Sequence, residues 1–175
     1  MTPITEAGIR ASFVNCSKGE ARRLGVPRDL LRASWPDLDF LGWRDPGAPE
    51  RAYLVAERDG GPVGVALRLA QGVRRSITKT TLCSVCVTPH TGPGVALFTA
   101  PRVGPAGRQG NTVGLYMCAD LDCSLYIRDK KQTELGERFE SLSVAERVVR
   151  AATNLDAFLE RVLDGDLAGT RQARG

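Results

Sequence analysis

Two stretches of the sequence, Cys83-Ser-Val-Cys86 and Cys118-Ala-Asp-Leu-Asp-Cys123, place four cysteines in two close pairs. Zn²⁺ takes four thiolates at the corners of a tetrahedron, with Zn–S distances near ~2.3 Å, and a two-residue spacer lets one tight turn present both sulfurs to one ion. The four-residue spacer of the second pair suits the end of a strand and the first turn of a helix. The pattern therefore predicts one structural Zn²⁺ per chain, bound by Cys83, Cys86, Cys118 and Cys123.

Other interpretations of the cysteines have less support. Disulfides need an oxidising compartment, and residues 1–25 carry charges where a secretion signal would be apolar. A thioredoxin-like redox pair would use one Cys-x-x-Cys and leave the second pair idle. His90 can replace a thiolate, but with four cysteines at hand we expect it in a loop or in contact with a ligand. We expect Cys16, far away in sequence, to be a small packed apolar residue.

The charges of the chain are unevenly distributed. The net charge is +4, yet residues 60–119 contain no acidic residue. The cations of this acid-free stretch are Arg68, Arg74, Arg75, Lys79, Arg102 and Arg108. Part of their charge can offset the formal charge of a zinc bound by four thiolates. Otherwise the stretch faces a polyanion or an acidic protein surface.

Composition and length indicate one globular domain over residues 1–163, followed by a disordered tail over residues 164–175. Apolar residues make up 42% of the chain and charged residues 25%, as in globular proteins. No apolar run approaches the ~18 residues of a membrane span. We expect a cytoplasmic protein without a membrane partner.

The pattern upstream of the cysteines predicts short helices and then strands. Residues 4–34 form the helical part. Thr5 caps a first helix with Ile9, Phe13 and Cys16 on one face, and Ser17 and Glu20 have the spacing of a capping box. Residues 35–43 are expected to be a turn-rich linker, whose aromatic rings attach the helices to the sheet.

The sheet and the zinc finger occupy residues 51–131. A hairpin turns at Asp59-Gly-Gly61, and further strands are predicted over 95–98 and 113–117. Residues 101–111 are too rich in glycine and proline for a helix or strand, so they form an exposed loop. A helix follows Cys118.

A second capping box, Ser143-Val-Ala-Glu146, begins a long helix over 143–163 that packs on the sheet. Its predicted apolar face consists of Val148, Ala152, Leu155, Leu159 and Val162. The predicted fold class is therefore α+β: a small antiparallel sheet with a treble-clef zinc finger of four cysteine ligands, short N-terminal helices and a long C-terminal helix.

The chain resembles the elongation factor G-binding proteins of the fusidic-acid-resistance (FusB/FusC) type, in their C-terminal treble-clef zinc-finger (FBP) domain. The resemblance spans residues 5–163, and its most specific part is Gly110-Asn-Thr-Val-Gly-Leu-Tyr-Met-Cys118 leading into the second cysteine pair. It also runs through Ile9–Glu20, Leu38–Trp43 and Arg51–Val55. It implies a structural zinc, binding to elongation factor G, and help for that factor in leaving the ribosome. Longer relatives carry a helical bundle before this domain, for which the segment ahead of the predicted sheet is too short.

Two functional hypotheses follow. The first is a non-enzymatic protein that binds elongation factor G and has no small-molecule substrate. The second is a zinc-stabilised module that binds ribosomal RNA or the ribosome through phosphate contacts. A zinc enzyme is the weakest hypothesis, because catalytic zinc keeps an open position and four cysteines close the site. The candidate partner-binding residues are Arg102, Arg108, Lys130 and Lys131. We expect Arg102 and Arg108, both in a loop, to be replaceable without loss of the fold.

Overall fold

The computed structural model describes residues 1–70, 80–136 and 140–164. The strands are β1 (Phe40–Asp45), β2 (Ala48–Arg58), β3 (Gly61–Leu69), β4 (Thr81–Leu82), β5 (Pro89–His90), β6 (Val95–Pro101) and β7 (Thr112–Cys118). The α-helices are α1 (Glu6–Ser12), α2 (Lys18–Arg23), α3 (Pro105–Arg108), α4 (Cys123–Ile127) and α5 (Val144–Leu163). Among the described residues, five strands form one antiparallel sheet in the order β1-β2-β3-β6-β7, and β4 pairs with β5. This architecture confirms the predicted α+β class.

The sheet is buried on both faces where β2 runs through it. Ala52, Leu54 and Ala56 point into the larger apolar cluster, which contains the zinc finger and α5. Tyr53 and Val55 point the other way, into a smaller cluster with the N-terminal helices. Because alternate residues of a strand face opposite sides of its sheet, two buried faces require the near-continuous apolar run that β2 has.

The N-terminal helices begin as predicted, but the first is shorter than expected. The Thr5 hydroxyl accepts the Gly8 N–H, and Ser17 and Glu20 form the complete capping box of α2. Helix α1 ends at Ser12, where the chain becomes extended and the Val14 N–H donates to the Gly64 carbonyl. The prediction that Phe13 and Cys16 lie on the helix was therefore wrong. Both still pack at the edge of the smaller apolar cluster.

The predicted linker over 35–43 was also wrong, because it contains strand β1. Residues 35–37 form a single 3₁₀ turn, and the strand begins at Phe40. Phe40 lies in the larger cluster, whereas Leu41 and Trp43 lie in the smaller one. The aromatic rings thus do attach the helices to the sheet, as expected. A glycine at position 42 and a proline at 36 weaken the strand signal in the sequence.

Gly42 has a specific packing role in β1. A Cβ at this position would lie 2.7 Å from the Leu121 Cβ, closer than packed atoms come. The glycine therefore lets the turn that follows Cys118 lie against the sheet edge.

Helix α5 follows the prediction at its start and along most of its face. Ser143 and Glu146 form the capping box. The buried residues of the helix are Arg147, Ala151, Leu155, Phe158, Leu159 and Val162. Ala152 is exposed, so that part of the predicted face was wrong by one position, and Phe158 was missed. The apolar residues of this face belong to the larger cluster, which confirms that the helix packs on the sheet.

Some predictions concern residues outside the described part of the chain. These are most of the segment leading to the first cysteine pair, including Arg74, Arg75 and Lys79, and the tail after residue 164. That residues 1–163 form a single domain stays a prediction. In the described residues, no helix has the length and apolar content needed to cross a bilayer.

Asn15 joins two strands where their backbone pairing stops. Strands β3 and β6 pair only at Arg68 with Thr99 and at Leu69 with Phe98. Next to these pairs, the Asn15 amide nitrogen donates to the carbonyls of Ala66 and Pro101, and its oxygen accepts the Ala66 N–H at 2.8 Å. One side chain thus satisfies three backbone groups across the gap.

We predict that Asn15→Ala lowers the free energy of unfolding by about 1–3 kcal/mol, because it leaves these partly buried backbone groups without partners. Chemical denaturation followed by circular dichroism measures the change. Asn111→Ala is the matched control, since Asn111 is exposed in the loop before β7. Equal stability of the two variants would contradict the bridging role.

Candidate metal centre

The four cysteine sulfurs lie together within the larger apolar cluster. All four Sγ atoms are within 4.8 Å of one another, and all four residues are buried. The Cys83–Cys123 and Cys86–Cys118 Sγ separations are 3.6 and 3.5 Å. A tetrahedron with Zn–S distances of about 2.3 Å has edges of about 3.8 Å. The donor set therefore fits one zinc ion without large movement.

The first pair sits on a tight turn between β4 and β5. The Val87 N–H donates to the Cys83 carbonyl at 3.0 Å, and Val87 adopts a positive φ of 59° to close the turn. The backbone N–H groups of Val85 and Cys86 point at the Cys83 Sγ, at 3.4 and 3.5 Å. Backbone donors to a thiolate are typical of a zinc knuckle and stabilise its charge.

The second pair joins the sheet to a helix, as its spacing predicts. Cys118 is the last residue of β7, and Cys123 is the first residue of α4. Between them the Leu121 N–H donates to the Cys118 carbonyl at 2.9 Å, and Leu121 has a positive φ of 66°. Helix α4 ends at Ile127, so Lys130 and Lys131 lie beyond it.

The surroundings of the buried thiols shift their pKa values in opposite directions. Hydrogen bonds from the other three cysteines lower the pKa of Cys83 well below its ordinary value. Burial and the neighbouring thiols raise the pKa of Cys123 well above it. Four thiolates cannot share one buried site unless a cation balances them, so this cluster needs a metal to ionise fully.

His90 contacts the site as a neighbour of a ligand. The residue is buried, and its Nε2 lies 3.3 Å from the Cys118 Sγ. Its ring packs edge-on against Tyr126, with ring centroids 4.9 Å apart. Gly94 leaves room for it: a Cβ there would approach the His90 ring to 2.8 Å. The sequence did not predict these contacts, because nothing in the local pattern of Tyr126 or Gly94 indicates a histidine as neighbour.

Arg102, a predicted partner-binding residue, makes intramolecular contacts instead of extending into solvent. Its Nη1 donates to the carbonyls of Arg161 and Asp164, both at 2.8 Å. Arg161 lies in the last turn of α5 and Asp164 is its C-terminal cap residue, so Arg102 caps that helix. The assumption that its side chain is free of other elements was therefore wrong, whereas survival of the fold after its replacement stays a prediction. The loop also contains the one-turn helix α3, which its glycines and prolines had argued against.

The two lysines after α4 also have acidic neighbours within the chain. Lys130 pairs with Asp37 at 2.6 Å. Lys131 pairs with Asp120 and Asp122 at 2.9 and 2.6 Å. Of the four candidates, Arg108 is the one that is exposed at the end of α3 with no hydrogen bond or ion pair of its guanidinium to another described residue.

We predict that the purified protein contains about one equivalent of zinc and that Cys118→Ser loses it. The variant should unfold more easily by at least about 3 kcal/mol, because zinc binding supplies folding energy. Cys16→Ser, the control, should stay within about 1 kcal/mol of wild type. Metal analysis and thermal denaturation measure both effects. Equal thermal shifts, or a Cys83–Cys86 disulfide in place of zinc, would contradict the assignment.

We further predict that Gly94→Ala weakens zinc binding by about 10–100-fold, because the added methyl group displaces His90 from Cys118. Competition with a chromophoric chelator measures the affinity. Gly60→Ala is the control, since a Cβ at Gly60 meets no atom within 4 Å. If Gly94→Ala and Gly60→Ala both release zinc at the same chelator concentration as the wild type, the contact between His90 and Cys118 does not strengthen zinc binding.

The comparisons with known proteins agree with this geometry. A family model described as FBP C-terminal treble-clef zinc-finger matches residues 8–162. No curated protein and no solved structure matches the chain. The match covers most of the N-terminal helices, the sheet, all four cysteines and nearly all of α5, and it identifies the cluster as a site for one structural zinc. The chain belongs to the FBP C-terminal treble-clef zinc-finger family.

Proposed function

We propose that this protein binds translation elongation factor G without enzymatic activity and promotes release of the factor from the ribosome, in the cytoplasm. The observation that carries the proposal is the family match over residues 8–162, together with the resemblance of the same residues to factor-binding proteins. The family is a zinc-finger binding module, which favours a partner over a substrate.

The chemistry of the metal centre supports a binding role. Four cysteines supply all the positions of a tetrahedral zinc and leave none for a reacting water. His90, the single histidine of the chain, is buried against Cys118. The zinc therefore holds the fold, and function falls to the surface that the fold presents.

Arg108 is the candidate contact that the geometry favours among the four predicted cations. It is exposed, whereas Arg102, Lys130 and Lys131 are held by other parts of the chain. An exposed cation at the rim of an interface accelerates association with an acidic partner more than it slows dissociation. We therefore place Arg108 at the rim of the partner surface.

Binding to ribosomal RNA is the second candidate function. It is favoured by the acid-free stretch, from which Arg68 and Arg108 are exposed in the structure. Salt separates the two functions. RNA affinity falls steeply with ionic strength because bound counterions are released, while a protein interface with a desolvated centre responds less.

We predict that the zinc-loaded protein forms a complex with its cognate elongation factor G at micromolar concentration. Arg108→Glu should lower the association rate constant several-fold and change dissociation little, because it reverses a rim charge. Surface plasmon resonance at two salt concentrations measures both rates.

Two controls accompany this experiment. Arg32→Glu reverses an exposed arginine outside the acid-free stretch and should bind as wild type. The Cys118→Ser protein, which lacks zinc, should not bind. Absence of any complex with the zinc-loaded wild type would exclude the first function, and steeply salt-dependent retention of ribosomal RNA would then favour the second.

A further inference from the structure

A cleft between α2 and the sheet is distant in sequence from the metal ligands and is not explained by the proposed partner binding. Its volume is about 410 Å³, within the range of about 300–1,000 Å³ of small-molecule sites. Its walls come from α2, the end of β1, and the neighbouring parts of β2, β3 and β6. Three arginines, Arg23, Arg51 and Arg68, line it together.

The pairing register of the sheet places two of these arginines against each other. Arg51 on β2 and Arg68 on β3 are direct cross-strand partners. Like charges at directly opposite positions destabilise an antiparallel pair. The sheet thus bears a repulsion at this point that a bound anion would remove.

The three guanidinium groups make few direct contacts within the described residues, although Glu20 is near enough that, after its hydrogen bonds from Ser17, the charges of Arg23 and Arg68 also lower the pKa of its carboxyl group. Those of Arg23 and Arg68 make no hydrogen bond and no ion pair there, and Arg51 has one contact, at 3.9 Å, with its neighbour Glu50. Their hydrogen-bond donors are therefore available to a ligand.

Two carboxylates also line the cleft, and both are engaged by other donors. Glu20 accepts hydrogen bonds from the Ser17 N–H and hydroxyl at 2.8 and 2.7 Å. Asp45 accepts them from the Tyr53 hydroxyl at 3.0 Å and the Gly47 N–H at 2.9 Å. Counting these two carboxylates, the charged side chains of the walls have a net charge of +1. The walls of the cleft therefore stay positive even with its own acids ionised, which favours an anion over a cation.

We propose that this cleft binds the phosphate group of a small anionic ligand between Arg23, Arg51 and Arg68. A phosphate monoester carries about −1.5 to −2 charges at pH 7 and three acceptor oxygens, enough to engage more than one guanidinium. The planar fork of arginine matches phosphate oxygens with two parallel hydrogen bonds. Ala66 and Pro101, both partly exposed, also line the cleft and can pack against the organic part of such a ligand.

Isothermal titration calorimetry on the zinc-loaded protein tests the proposal, with glycerol 3-phosphate and inorganic phosphate as probes in chloride of matched ionic strength. We expect saturable binding of at least one probe. Tighter binding of glycerol 3-phosphate assigns the site to a monoester, and equal or tighter binding of inorganic phosphate assigns it to free phosphate. Absence of saturable binding up to about 10 mM of either probe overturns the proposal.

The variant Arg68→Gln locates the binding. It should weaken the affinity by about tenfold or more, since a charged donor is lost, while Arg22→Gln should keep it. Arg22 is exposed on α2 beside Arg23 but does not line the cleft. In buffer without phosphate, Arg68→Gln should also melt slightly above wild type, because the repulsion with Arg51 is removed.

Two results would contradict the assignment to this cleft. Equal affinity in Arg68→Gln and wild type would place the anion elsewhere. The second result is that a single-stranded RNA oligonucleotide binds more tightly than either probe and that Arg68→Gln loses this binding. It would assign the arginines to a nucleic acid and overturn the proposal of a small ligand.

Discussion

Four thiolates around one ion fix the distances between three parts of the chain that local structure would leave independent. These parts are the knuckle over 83–86, the end of β7 and the start of α4. The loop of 31 residues between the two pairs carries β5 and the β6–β7 hairpin, so the ligands also set how that hairpin lies against the knuckle. The Ser84 N–H bond to the Tyr116 carbonyl, 2.8 Å, fits this geometry, because it joins the knuckle to the strand that carries Cys118.

The same ion determines how the sheet edge is covered. The turn after Cys118 lies along β1, where the Ala119 carbonyl accepts from Arg44 at 3.3 Å and Leu121 packs on Gly42. Just beyond, Arg128 and Asp39 form a two-pronged ion pair with distances of 2.7 and 2.8 Å. An uncovered edge strand exposes unpaired backbone groups and invites aggregation. Loss of zinc therefore affects β1 as well as the finger itself.

The sequence predicted what depends on short-range chemistry. Cysteine spacing, the capping boxes at Ser17 and Ser143, and the turn at Asp59-Gly-Gly61 each state a local requirement, and the structure has all of them. What was missed depends on distant residues. Strand β1 is defined by β2 and by the turn at Leu121, neither of which its own residues reveal. The bonds from Arg102 to the end of α5 join positions 59 and 62 apart in sequence, so a basic loop gave no sign that its first arginine is a cap.

This reassignment of cations changes what the positive charge of the chain indicates. Arg102 stabilises a helix end, and Lys131 balances Asp120 and Asp122 beside the metal centre. Charge that is compensated internally contributes little to the recognition of a partner, because the field it produces outside is offset by its neighbours. Two other sites on the described part of the chain keep exposed cations, Arg108 on α3 and the arginines of the cleft beside α2. The first is a single exposed charge that suits the rim of a protein interface, and the second is a concave cluster that suits a compact anion. The number of basic residues and the net charge of the chain would suggest one basic surface. The positions of these residues in the fold instead give two separate sites, Arg108 and the arginine cleft.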